Sequence, residues 1–144
     1  MSASTLPLGV RSNNPGNLRP SRDPWVGELR PPDDRGYCRF DTAENGIRAL
    51  AKNLLAYQNK HNLRTVERII ARWAPGVEND TEAYIRHVCL LTGYRRDEVI
   101  DVGDPEVLHD LVAAIIRHEN GVPPTPAGWY MDAQISVGIM RALA

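Results

Sequence analysis

At 144 residues the chain fits one domain, able to bury roughly two-thirds of its unfolded surface, and leaves little room for a second. Hydrophobic residues make up 42% and charged residues 24% of it, and a formal charge of -1 gives no general attraction to nucleic acid or to an anionic membrane. Cys38 and Cys89 have no metal-type spacing, so they read as small core residues, with a disulfide between them left open.

Residues 1–10 read as a tail, with neither a basic start nor an apolar run long enough for an export signal. No stretch approaches the roughly twenty apolar residues of a membrane span. The expectation is a protein made in the cytoplasm, without stable membrane insertion, that would need another vehicle to act outside. A single domain then occupies 11–144.

The block Arg11-Ser12-Asn13-Asn14-Pro15-Gly16-Asn17-Leu18-Arg19 is a rigid polar loop, because Asn-Pro and Gly-Asn mark tight turns. Its asparagines also offer amide donors and acceptors suited to the N-acetyl groups and hydroxyls of a sugar. Trp25–Leu29 and Gly36–Phe40 flank a polar turn and read as a hairpin, which must pack on helices to be stable. Glu28, Asp33, Asp34 and Asp41 are its acids, and acids in turns are mostly solvated.

Asp41 or Thr42 caps a helix from about Ala43 to Tyr57, with Ile47, Leu50, Ala51, Leu54 and Leu55 on one face and Glu44 in the first turn. Thr65 caps a second helix through Trp73, ended by Pro75-Gly76, and Asp80 caps a third that Gly93 stops. Arg95 to Ile100 reads as a short helical turn. A further helix opens with Asp104 as cap and Pro105 at its first position and closes at Gly121; its apolar stripe runs through Leu108, Leu111, Val112, Ile115 and Ile116. Pro123-Pro124-Thr125-Pro126 is an extended crossover, and a last helix runs from about Tyr130 to Leu143. The sum is a mainly α protein of five or six helices around one small β-hairpin.

Glu119 is placed oddly. A helix C-terminus carries partial negative charge, and this Glu lies at the edge of an apolar stripe; both influences favour a retained proton, which is what a general acid needs. Pairing with Arg117 at the surface is the ordinary alternative. His61, His87, His109 and His118 show no His-Glu-x-x-His spacing, and neither a phosphate loop nor a Gly-x-Ser-x-Gly elbow occurs, so neither metal nor cofactor is expected.

The string Ala113-Ala114-Ile115-Ile116-Arg117-His118-Glu119-Asn120-Gly121 resembles the helix end that carries the catalytic Glu in lytic transglycosylases and bacterial glucosaminidases of the lysozyme-like superfamily. Asn120 stands where those proteins customarily have Ser. Other similar pieces are Asn13-Asn14 with Gly16, Tyr37 to Phe40 running into Gly46-Ile47-Arg48-Ala49-Leu50, then Trp73-Ala74-Pro75 and Asn79-Asp80 before Tyr84. They precede the Glu here and follow it there, an order that a circular permutation would explain. The opening also resembles small phage and prophage proteins that begin with an Asn-Pro-Gly-Asn loop.

The resemblance implies a lysozyme-like fold and cleavage of the glycan strand of peptidoglycan, with Glu119 as acid and then base. A hydrolase needs a second carboxylate, for which Glu28 and Glu44 are the candidates; a lytic transglycosylase can use one Glu to activate the sugar's own primary hydroxyl. Asn14, Asn17, Tyr37, Tyr84 and Asn120 would bind or orient the glycan. Trp25, Trp73 and Trp129 could stack on sugars, although packing is their commoner use. A cell-wall enzyme of this kind would travel in a phage particle beside other virion proteins, leave through a holin, or be injected. The alternative is a virion structural or glycan-binding protein that keeps the fold without catalysis.

Overall fold

The computed structural model describes residues 6–76 and 79–144. In chain order it contains α1 (Leu8–Arg11), β1 (Glu28–Leu29), β2 (Arg39–Phe40), α2 (Ala43–His61), α3 (Val66–Trp73), α4 (Thr81–Thr92), α5 (Pro105–Asn120) and α6 (Asp132–Leu143). The protein is thus mainly α with one two-stranded antiparallel sheet, registered Glu28 to Phe40 and Leu29 to Arg39.

The helices begin where capping chemistry dictates. Side chains of Thr42, Thr65, Asp80 and Asp104 accept from the backbone N–H groups of Asn45, Arg68, Ala83 and Glu106, satisfying donors that a helix start leaves orphaned. Helix α2 runs four residues beyond Tyr57 to His61, because nothing between breaks a helix. Asn62 stops it in the left-handed conformation at φ 54°. Gly121 ends α5 at φ 80° with ψ -166°, so its backbone leaves extended rather than curling into the left-handed helical region.

Fully buried Ile47, Leu50 and Leu54 of α2 meet Leu108, Leu111 and Ile115 of α5 in the main core, which Ile69 and Ile70 of α3, Val88 of α4 and Ile139 of α6 complete. Burial of each such side chain contributes about 1.5–3 kcal/mol. A smaller cluster of Leu18, Cys38, Phe40 and Ala49 seats the hairpin on α2. Cys38 and Cys89 are both free thiols.

Two expectations are corrected here. Residues 1–5 lie outside the described region, but Leu8, Gly9 and Val10 are no tail: with Arg11 they form α1, which packs on α5. A side chain on Gly9 would strike the Asn14 carbonyl, Asn17 Oδ1 and Asn120 Oδ1, all within 2.9 Å of where its Cβ would lie. Arg95 to Ile100 is a loop containing a turn rather than a helical turn. Glu98 closes that turn locally, its N–H donating to Arg95 O at 3.2 Å and its Oε1 taking the Arg95 N–H at 3.0 Å, and the segment winds no further because Ile100 N–H is drawn to Arg64 O at 2.9 Å.

Candidate active-site groove

The asparagine loop is fastened to the second strand. Phe40 N–H donates to Ser12 O and Cys38 N–H to Leu18 O, both at 2.9 Å, so the loop runs beside β2. Asn13 and Asn17 take positive φ of 53° and 52°, a conformation asparagine tolerates better than most residues. Asn14, with no exposed surface, donates from Nδ2 to Leu18 O and Cys38 O and accepts the Leu18 N–H at Oδ1, each at 3.0 Å. Its hydrogen-bonding capacity is spent on the scaffold.

This frame aims Asn17 at the end of α5. Asn17 Nδ2 donates to Glu119 Oε1 at 2.9 Å, joining residues 102 apart in sequence. On the other side the Tyr84 hydroxyl donates to Glu119 Oε2 at 2.7 Å and accepts from Trp73 Nε1 at 3.1 Å. Each carboxylate oxygen is therefore held by one donor and retains a lone pair for another partner. Burial, first, and the adjacent Glu119 push the Tyr84 phenol far above its ordinary range, so it keeps its proton and remains a donor.

Glu119 lines a groove of about 460 Å³, within the usual size of small-molecule clefts, roughly 300–1,000 Å³. Asn17, Tyr37, Asn53, Tyr57 and Trp73 supply polar and aromatic walls. Arg19 lies over the Tyr37 ring, 4.4 Å from its centroid, and Tyr57 meets Trp73 edge-on with centroids 6.4 Å apart. Glu119 is the one carboxylate among the described residues that line the groove.

The structure thus gathers Glu119, Asn17, Tyr37 and Tyr84, and separates the other candidates from the groove. Glu28 has a fully buried side chain that accepts from Trp25 N–H at 2.9 Å and pairs with Arg30 at 2.9 Å. Glu44 sits against α6, where Gln134 Nε2 reaches it at 3.4 Å. Neither lines the groove. Asn120 is buried and donates to Pro15 O and Ile116 O, both at 2.9 Å, which ties the loop to the helix end. Asn14 and Asn120 are staples rather than sugar ligands, and Tyr84, 1% exposed, can act on a ligand only through Glu119. Asp33 organises the hairpin turn by accepting from Arg35 and Tyr37 N–H groups.

Asn53 and Tyr57 were not expected in the site. Their spacing of four residues puts them on one face of α2, outside the apolar stripe, and that was the available signal. Of the histidines, His109 Nε2 meets Asp132 at 3.1 Å, while His118 and His87 contact each other. No helix among the described residues is long and apolar enough to cross a membrane.

No family model matches the chain. A curated relative does: the chain is 40% identical over 119 residues to Protein P5 of Pseudoalteromonas phage PM2, an alignment covering 81% of this chain and 72% of the phage protein.

Proposed function

The chain belongs to the family of Protein P5 of phage PM2, and from that phage membership together with the geometry of the groove we propose that it is a peptidoglycan-degrading protein on a circularly permuted lysozyme-like fold. Glu119 protonates the bridging oxygen of a glycosidic bond as positive charge develops at the anomeric carbon, and the leaving sugar departs with that proton. The resulting carboxylate then takes the proton from the primary hydroxyl of the muramic acid, whose oxygen closes on the anomeric carbon. An anhydro product results, and no water is consumed. Asn17 and Tyr84 hold the carboxylate in place through both half-reactions, and Tyr37, Tyr57 and Trp73 give sugar rings apolar surfaces to rest against.

The observation that carries this reading is Glu119, held at both oxygens and the one carboxylate among the described residues that line a groove of polar and aromatic side chains. Intramolecular attack can proceed with Glu119 alone, whereas hydrolysis calls for a second carboxylate to activate water or form a covalent intermediate. The substrate is the glycan strand of the periplasmic wall, reached from a phage particle or through a holin. Incubation of purified sacculi with the protein, followed by mass analysis of the soluble muropeptides, tests the reading. Anhydro ends support it, hydrated ends would replace transglycosylation by hydrolysis, and binding without release would leave a structural virion protein.

A further inference from the structure

One cluster behind the groove has no part in the reaction as described. His118 precedes Glu119 on α5, and its ring stacks on Tyr84 with centroids 3.6 Å apart and planes inclined by 28°. Its Nδ1 lies 2.8 Å from Nδ1 of His87, which is on the same face of α4 as Tyr84. At that distance one nitrogen donates and the other accepts. The contact survives one positive charge on the pair, because the donor ring can take a proton at Nε2. It does not survive two, since two N–H groups would then face each other.

We propose that His118 is a positioning residue for Glu119, acting through Tyr84, with His87 fixing the plane of its ring; this rests on the reading of Glu119 as the acid and base. The Tyr84 hydroxyl has one proton, and it is directed at Glu119 Oε2. A small tilt of the phenol ring would swing that hydroxyl off the carboxylate. The imidazole packed flat against the ring prevents the tilt, and the bond to His87 prevents the imidazole from turning away. The charged and titratable groups around His118 are His87 and Tyr84 from α4, and Glu119 and Arg117 on α5. Burial comes first, then His87, in holding His118 below the ordinary histidine value; Arg117 acts in the same direction and Glu119 opposes it. Both rings must carry a charge before their contact breaks, and the lowered His118 value places that on the acid side.

The test compares wild type with His118→Phe, which keeps an aromatic face on Tyr84 but cannot titrate, and with His118→Ala, which removes the face. On solubilised glycan strands, kcat of His118→Ala should fall about tenfold with KM changed less than about twofold, as expected for a displaced reacting group. His118→Phe keeps the face but not the bond to His87, so its kcat at neutral pH should fall between those of wild type and His118→Ala, and its profile should lack the acid limb of the wild type. Two spectroscopic readouts do not depend on turnover. Nitrogen-15 spectra should show a single Nδ1 proton shared by the two histidines, and the carbon-13 signal of the Glu119 carboxyl should follow their titration in wild type but not in His118→Phe. Independent titration of the histidines, with a Glu119 signal indifferent to them, would overturn the proposal even if the protein cleaves glycan. A coupled signal in a protein without glycanase activity would instead uphold the coupling and remove the proposed reaction.

Discussion

Replacing Asn14 by Ala should unfold the front of the molecule rather than weaken its grip on a sugar. The substitution takes the Asn14 donor from the Cys38 carbonyl, takes one of two partners from the Leu18 carbonyl, and leaves the Leu18 N–H without an acceptor, all where Asn14 has no exposed surface. A buried polar group left unpaired costs about 1–3 kcal/mol, and some of this is recovered because Leu18 O still accepts from Cys38 N–H. The expected loss is about 3–5 kcal/mol, a large share of the roughly 5–15 kcal/mol that holds a domain together. Urea unfolding measures it: with a slope of about 2 kcal/mol per molar, the midpoint should fall by about 1.5–2.5 M at unchanged slope. Asn17→Gly is the contrast. Glycine accepts the positive φ of 53° and 52° found in this loop at Asn13 and Asn17, so stability should move by only about 1 kcal/mol while the donor to Glu119 is lost. If Asn14→Ala unfolds within about 0.5 M of wild type, the assignment of Asn14 to the scaffold is wrong.

Three further outcomes are expected. Gly46→Ala places a Cβ on the Asn13 carbonyl oxygen, and because that oxygen is backbone the loop must move; a loss of about 1–3 kcal/mol in thermal or urea unfolding is expected. Tyr84→Phe and Trp73→Phe each delete one link of the chain that ends on Glu119, and steady-state kinetics should show kcat lowered about tenfold or more for the former and less for the latter, with little change in KM. Burial, and secondarily Glu28, push the Cys38 thiol up to about 11 from 9.0. Its neutral form is thus favoured by folding, so its contribution to stability is complete below pH 9 and is lost as pH rises towards about 11. An aromatic disulfide reagent at pH 8 should accordingly leave Cys38 unmodified until the protein unfolds, and urea midpoints should decline through the alkaline window.

The frame of the fold was legible because its signals are local. Thr42, Thr65, Asp80 and Asp104 each precede an apolar periodicity, and all four cap the helices they precede. Where the turn after Arg95 stops was not legible, since Arg96 O and Ile100 N–H are paired with Glu67 and Arg64 from another part of the chain. The site divides in the same way. Glu119 could be singled out from its position at a helix end, and the asparagine loop from its composition. Which of the asparagines meets Glu119 depends on which of them folding consumes: Asn14 and Asn120 have the same chemistry as Asn17, and only the neighbouring carbonyls decide. Glu28 was a reasonable partner for Glu119 until Arg30 and the Trp25 N–H are seen to occupy it. Asn53 and Tyr57 flank the buried stripe of α2, and periodicity marks the stripe rather than its edge.

The most direct measurement is the turnover rate of Glu119→Gln on purified sacculi, alongside its affinity for glycan fragments and its melting temperature. Glutamine fills the same space and can still be held by Asn17, so folding and binding should persist. The account predicts a rate reduced by about 10²- to 10⁴-fold; a variant that binds, melts and solubilises sacculi within about tenfold of wild type would contradict it.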